Sequence, residues 1–400
     1  MLTGGLMKYP VWFFRLLFAA WMIPAGLNHF VQIFPQPMGN QPLSMELIVA
    51  LIDSHLFDLV KAVELLAGIG VLFGLVTPLS LLVCLPVSFG VFYWDAPLEG
   101  WGSIAALFGY GTLFTNSVLC AFYWDHYKSM FTVRTFVNER QQLVMIGRIV
   151  LGALVTLVAV NYLFVSEAPT GQQPLADLLM TSLVNSRLLY VALAVQLIAG
   201  LLLLSGFIVP LALTAQMIIT SNALFWALIL NQSPMLSLLT LVAFAINGLL
   251  MIAYLPYYRD ILKDSPLARG ETADSSYDAL FINPHGSTSK AEYITALVTI
   301  VIAMAFFGLY MTGRTAEFCM LVMVYPAYVL VVRRFHDMGY SAWLLLAPLL
   351  IVLVAFDVQL GYYSMGEAMD GIINWLALAF AGAFMLWGCV AESKQSGQSY

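Results

Sequence analysis

The chain has 400 residues, of which 61% are hydrophobic and only 10% charged, with a formal net charge of −6. Soluble domains carry about 25% charged residues, so a soluble globular protein is excluded, and the acidic balance points to no nucleic-acid partner. The apolar runs last about 20 residues without the polar alternation of barrel strands, which predicts an all-α polytopic protein whose main partner is the lipid bilayer.

The first span is predicted at about 11–32. Lys8 before it imitates the start of a signal peptide, but the run is too long and no soluble domain follows, so it reads as a retained helix. Spans follow at about 57–76, 79–95 and 101–124, then the polar connector DHYKSMFTVRTFVNERQQ. A second set falls at about 145–165, 187–207, 209–230 and 235–257. The stretch from Arg259 to Lys290 has no apolar period and reads as a solvated linker. The last spans are expected at about 292–312, 316–333, 342–359 and 371–390. This makes about 12 transmembrane helices in three four-helix units: 1–128, 145–258 and 291–392. A connector (129–144), a polar linker (259–290) and a polar tail (393–400) join and end them.

The first two units are repeats. Glu64, Gly68, Gly74, Pro78 and Trp94 meet Gln196, Gly200, Gly206, Pro210 and Trp226 at one constant offset of 132 residues. Arg15 precedes Asn28 by the same interval as Arg148 precedes Asn161. Four helices per copy is an even number, so the copies insert the same way up as parallel repeats. With the N-terminus inside, thirteen Lys and Arg residues fall on the inner side and only Lys61, Arg187 and Arg314 on the outer. The positive-inside rule therefore places both termini in the cytoplasm.

The second span carries His55, Asp58, Lys61 and Glu64 at intervals of three, on one helical face. Asn28 and His29 end the first span on the same side, and Trp94 and Asp95 end the third. A carboxylate inside a span is expensive, and three readings stand. The stripe fastens two helices, or Glu64 and His29 form a titrating pair in a ligand pocket, or two His and two carboxylates hold a metal. Their spacing matches no metal signature. In the second copy Glu64, His29 and His55 become Gln196, Tyr162 and Arg187, so any site belongs to the first copy. Gly70 and Gly74 form GxxxG, read as a helix-packing face. Cys84, Cys120, Cys319 and Cys389 lie in or beside apolar spans without CxxC or zinc spacing and read as buried small hydrophobes. In RRFHDMGYSAW, Arg333, Arg334, His336 and Asp337 crowd a short inner loop, as a topology anchor with an Asp–Arg clamp or as a headgroup-binding patch.

RLLFAAWMIPAGLNHF followed by VELLAGIGVLFG resembles the DoxX family of four-helix bacterial membrane proteins, through Arg15, Gly26, His29, Glu64, Gly68 and Gly74. Residues 288–392, through RRFHDMGYSAW, resemble the YhaH-like inner-membrane domain of unknown function. The DoxX resemblance implies a bacterial inner-membrane subunit of a quinone-linked redox complex. It would bind quinone or another small lipophilic ligand near the outer leaflet at Glu64, His29, Asn28, Lys61, Asp58, Trp94 and Asp95, and anchor a periplasmic redox partner. No haem, iron–sulfur, flavin or metal motif is visible, so electrons would come from that partner. The alternatives are a small-molecule transporter built on the two repeats and a structural or assembly subunit without a ligand.

Overall fold

The structure, a computed structural model, describes residues 7–135, 141–311, 313–361, 363–364 and 366–394. Arg140 of the basic connector and tail residues 395–400 lie outside the described residues. The protein is an all-α polytopic membrane protein. The first unit consists of α1 (Lys8–Val31), α2 (Pro42–Asp53), α3 (Leu56–Phe73), α4 (Thr77–Tyr93) and α5 (Ile104–Phe122). The second follows the same plan with α6 (Gln141–Val160), α7 (Pro174–Asn185), α8 (Leu188–Ser205), α9 (Val209–Phe225) and α10 (Pro234–Ala253). A short helix, α11 (Tyr277–Phe281), leads to α12 (Lys290–Tyr310), α13 (Gly313–Asp337), α14 (Leu346–Gln359) and α15 (Glu367–Val390).

Among the described residues eleven helices are long and apolar enough to cross a membrane. The difference from twelve is α3, an 18-residue helix that carries Asp58, Lys61 and Glu64. It nonetheless runs antiparallel along α1 for most of its length. Gly26 of α1 stands against the backbone of Lys61 and Leu65, and Gly68 of α3 against Met22 and Ile23; a Cβ on Gly26 would lie 2.6 Å from the Leu65 nitrogen. These two glycines, one on each helix, supply the close approach that lipid-embedded helices need. Of the GxxxG pair, Gly70 packs on the neighbouring helix α4 and Gly74 faces Asp278 of α11. Gly70 abuts Ser80 across the α3–α4 turn, and Gly74 ends α3 in the left-handed region at φ 72.

Each repeat contains a fifth element that hydropathy alone passed over: the 12-residue helices α2 and α7, too short to span. Pro42 and Pro174 open them at positions where a missing N–H costs nothing. The repeat extends to backbone detail. His55 and Arg187 both turn left-handed before α3 and α8, at φ 59 and 62, as do Val76 and Ile208 before α4 and α9, at φ 42 and 48. Tyr127 Oη donates to the Pro78 carbonyl and Tyr258 Oη to that of Pro210, each at 2.7 Å. The copies meet reciprocally: α2 packs on α7, the 128–131 turn on α9, and the 259–262 turn on α4. That exchange is what a two-fold relation along the membrane normal produces.

α1 is the axis of the molecule. Its most apolar window is 61% buried, against 11% for α15. Val11, Phe18 and Met22 face the core shared by the two repeats, while Trp12, Leu16, Leu17 and Ala20 face α12, α13 and α11. A helix apolar all round is buried all round. The third unit therefore packs on the first repeat. The 259–290 stretch is not the solvated linker its composition suggested: Ile261, Ala268, Tyr277, Leu280 and Phe281 are buried. Its polar residues make local turns while a few apolar ones, spaced without helical period, plug gaps between the units.

Candidate functional site

The predicted site residues fall into three groups. Asn28 and Trp94 serve the scaffold. Asn28 Oδ1 accepts from the Phe34 backbone at 2.7 Å and so ends α1, while Trp94 Nε1 donates to the Ser44 carbonyl at 2.9 Å and ties α2 to the end of α4. Trp226 repeats the second bond to Ala176 at 3.0 Å, so this indole belongs to the shared framework.

The second group sits at the acidic end of the repeats, the side that carries Glu46, Asp53, Glu99, Glu167 and Asp177. His29 Nε2 lies 2.7 Å from Asp58 Oδ1, and His55 Nδ1 lies 3.0 Å from Asp58 Oδ2. His29 is thus paired with Asp58 and not with Glu64. Its ring meets Phe57 edge-on at 5.1 Å.

The third group is buried. Glu64, the ninth of the 18 residues of α3, is 2% exposed and stands near mid-helix. Its Oε2 accepts from Lys61 Nζ at 2.7 Å, one turn toward the acidic end. Lys61 also lies over the Phe57 ring, and its field reaches Asp95. Asp95 is buried in the turn after α4, packed on Gly109 of α5, with no hydrogen bond to its carboxylate among the described residues. In the second copy Lys61, Glu64 and Asp95 align with Leu193, Gln196 and Ala227. Gln196 Nε2 instead donates across to the Val155 carbonyl of α6 at 3.0 Å. The framework thus closes with a neutral residue at that position, and the three charges are peculiar to the first copy.

An apolar crevice opens between α1, α5 and α12, lined by Trp21, Met22, Phe108, Thr112, Phe306 and Phe307 among others. Trp21 and Phe108 stack at 6.1 Å with 17° between planes. Thr112 is one turn along α5 from the Gly109 that receives Asp95, and Met22 packs on Gly68, one turn along α3 from Glu64. The carboxylates themselves do not line the crevice. No group of three or more metal-ligating side chains occurs among the described residues.

Two constellations escaped the sequence reading. The first is Glu99, whose carboxylate accepts from the backbones of Asn40 (2.8 Å) and Gln41 (3.2 Å) and from the Ser44 hydroxyl, pinning the start of α2. Asn231 does the same for Gln172 at 2.6 Å, so the offset of 132 could have revealed it. Burial pushes the Glu99 carboxyl up, but these hydrogen bonds outweigh it and hold it below the ordinary range. A depressed pKa contributes stability above the unfolded value, lost as pH falls through the folded one. The Asn40 and Gln41 amides are therefore expected to lose hydrogen-exchange protection as pH drops below the ordinary glutamate pKa. Glu99→Gln should remove that pH dependence.

The second is Arg15, fully buried. It donates to the Val71 carbonyl (2.7 and 3.2 Å), to Tyr123 Oη (3.1 Å) and to Asp278 Oδ1 (2.8 Å), beneath the Tyr277 ring at 3.8 Å. Glu271 fixes this corner by accepting from the Ala268 and Tyr277 backbones, and burial raises its carboxyl. Nothing local in the sequence links Arg15 to residues more than 250 positions away.

The basic motif closes the third unit on itself. Arg333 donates to Thr288 Oγ1 (3.0 Å) and to the carbonyls of Asn283, His285 and Ser287. Arg334 donates to the carbonyls of Gly388 and Ala391, to Ser393 and to Asp337. His336 Nδ1 lies 3.1 Å from the Gly286 carbonyl. The buried guanidinia are taken up by carbonyls of their own chain, Arg333 by those of the loop before α12 and Arg334 by those at the end of α15.

Fold and site together define a polytopic membrane protein with a buried charge cluster confined to one of two repeats. Residues 281–400 match the model of a membrane-associated family described as "Protein of unknown function (DUF805)", which covers the third unit and its RRFHDMGYSAW motif. No curated protein and no solved structure matches the chain.

Proposed function

We propose that the protein is the membrane subunit of a quinone-linked redox complex in a bacterial inner membrane, with both termini cytoplasmic and the acidic end facing a periplasmic redox partner. The observation that carries this reading is the buried Lys61–Glu64 pair and the buried Asp95, charges that the second repeat does without. Buried ionisable groups inside a span are costly and are retained for function. The crevice suits a flat apolar ring, held between Trp21 and Phe108 on one side and Phe306 and Phe307 on the other. Quinone would supply two-electron chemistry coupled to proton exchange, and Asp95 and Glu64 are the groups placed to hold those protons. His29, Asp58 and His55, paired with one another, would exchange those protons with the solvent at the start of α3. The DoxX resemblance of the first two units points the same way.

The test is gentle extraction of the full chain, followed by analysis of bound lipophilic molecules and of quinone reduction supported by co-purifying partners. Asp95→Asn and Glu64→Gln should each lower quinone-linked turnover at least tenfold while expression holds. Absence of both quinone and a redox partner from the purified material would refute the reading. A transporter reading needs polar groups continuing to the basic end along one path. The 65–73 half of α3, LLAGIGVLF, offers none.

A further inference from the structure

The two repeats build the same cradle where Lys and Arg residues gather, and among the described residues only the first is filled by a carboxylate. In the first, Arg15, which also donates to Tyr123, and Gly74 receive the Asp278 carboxylate; both Asp278 oxygens lie 2.5 Å from where a Gly74 Cβ would stand. The aligned residues of the second repeat are Arg148, Gly206 and Tyr254. Gly206 repeats the left-handed end of its helix at φ 77. Here the space over the glycine holds the Arg148 guanidinium itself, with Cζ 3.1 Å from the would-be Cβ. Arg148 has no hydrogen bond or ion pair among the described residues, and its Nε is buried without a partner. Arg134 joins it: its backbone bridges to Phe207, the next residue, and its exposed side chain is likewise unpaired among the described residues.

Two arginines without a counter-ion among the described residues therefore meet one helix-end turn, Arg148 through its guanidinium and Arg134 through its backbone. Unlike Arg333 and Arg334, they are not consumed by carbonyls of the chain. Around them Met145, Leu204 and Phe207 are exposed, so the cations stand at the edge of a lipid-facing apolar surface. Guanidinium forks match phosphate oxygens in geometry, and basic groups at the ends of spans attract anionic headgroups. We propose that Arg148 and Arg134 form a binding site for the phosphate of an anionic phospholipid. Its acyl chains would lie along Met145, Leu204 and Phe207. The headgroup supplies to the second repeat the anion that Asp278 supplies to the first.

The test uses the full chain in nanodiscs of phosphatidylcholine doped with phosphatidylglycerol, with retained lipid counted by native mass spectrometry. Wild type should retain phosphatidylglycerol in preference to phosphatidylcholine. Each of Arg134→Gln and Arg148→Gln should weaken retention about fivefold. Arg134 is exposed, so its variant reads the site even where Arg148→Gln fails to fold. Retention that survives millimolar inorganic phosphate supports the lipid. Full displacement by phosphate, or equal retention in wild type and Arg134→Gln, overturns it.

Discussion

Lys61→Leu is expected to destabilise the protein by about 3 kcal/mol, and Lys61→Leu with Glu64→Gln to restore most of that loss. The single change strands a carboxylate that is 2% exposed at mid-helix. Removing one partner of a buried pair costs about 3–5 kcal/mol, and a lone charge at the centre of a span about 2.5–3.5 kcal/mol. The double change installs the Leu193–Gln196 arrangement that the second repeat already uses. There Gln196 donates to the Val155 carbonyl, and the aligned carbonyl in the first repeat is that of Met22. Glu64→Gln alone should cost less than Lys61→Leu, because Lys61 keeps Asp95 in its field. Thermal unfolding of the three variants in detergent measures the coupling. Loss in the double equal to the sum of the singles would show that the pair is not a unit. Quinone-linked turnover should not recover in the double, and this separates a functional charge from a fastening one.

Asp278→Ala is expected to detach the 259–290 stretch from the first repeat. It leaves Arg15 fully buried with its Val71 and Tyr123 bonds but without its anion. The cost is again about 3 kcal/mol for an uncompensated buried charge, and it falls on the joint between the first repeat and the third unit. Trypsin should then cut at Arg269, whose backbone N–H bonds to the Phe122 carbonyl at 2.9 Å in the native protein. Asp278→Asn keeps a hydrogen-bond acceptor and should cut more slowly than Asp278→Ala. Unchanged protection in both would mean that Tyr277 and Phe281 hold the segment by packing alone.

The segment also shows why composition misled. RGETADSS and NPHGSTS carry no helical period, yet Tyr277 and Phe281 between them enter the core on a five-residue helix. One turn of helix is enough to bury two aromatic rings and too little to register as a pattern. The short helices α2 and α7 escaped for a related reason, since a hydropathy reading looks for the length of a bilayer and these are half that. Glu64 illustrates the opposite case. Its burial and its helix were readable from its place in an apolar run, but its partner was not. Lys61 and His29 were both within plausible reach, and side-chain geometry alone assigned Lys61 to Glu64 and Asp58 to His29.

Read from the chain alone were the all-α membrane class, the run of long apolar helices and the two parallel repeats. These follow from local quantities, the hydropathy of about 20 consecutive residues and a constant offset between like residues, and need no knowledge of what packs on what. Three-dimensional packing decided that α1 is the axis, that Gly26 and Gly68 bring α1 and α3 together, and that Asp278 neutralises Arg15. It also decided that Arg148 has no carboxylate partner among the described residues where its counterpart Arg15 has Asp278. Each of these depends on contacts between residues far apart in sequence. In lipid, where apolar surface is cheap everywhere, such contacts are selected by close fit and by the pairing of the few buried charges.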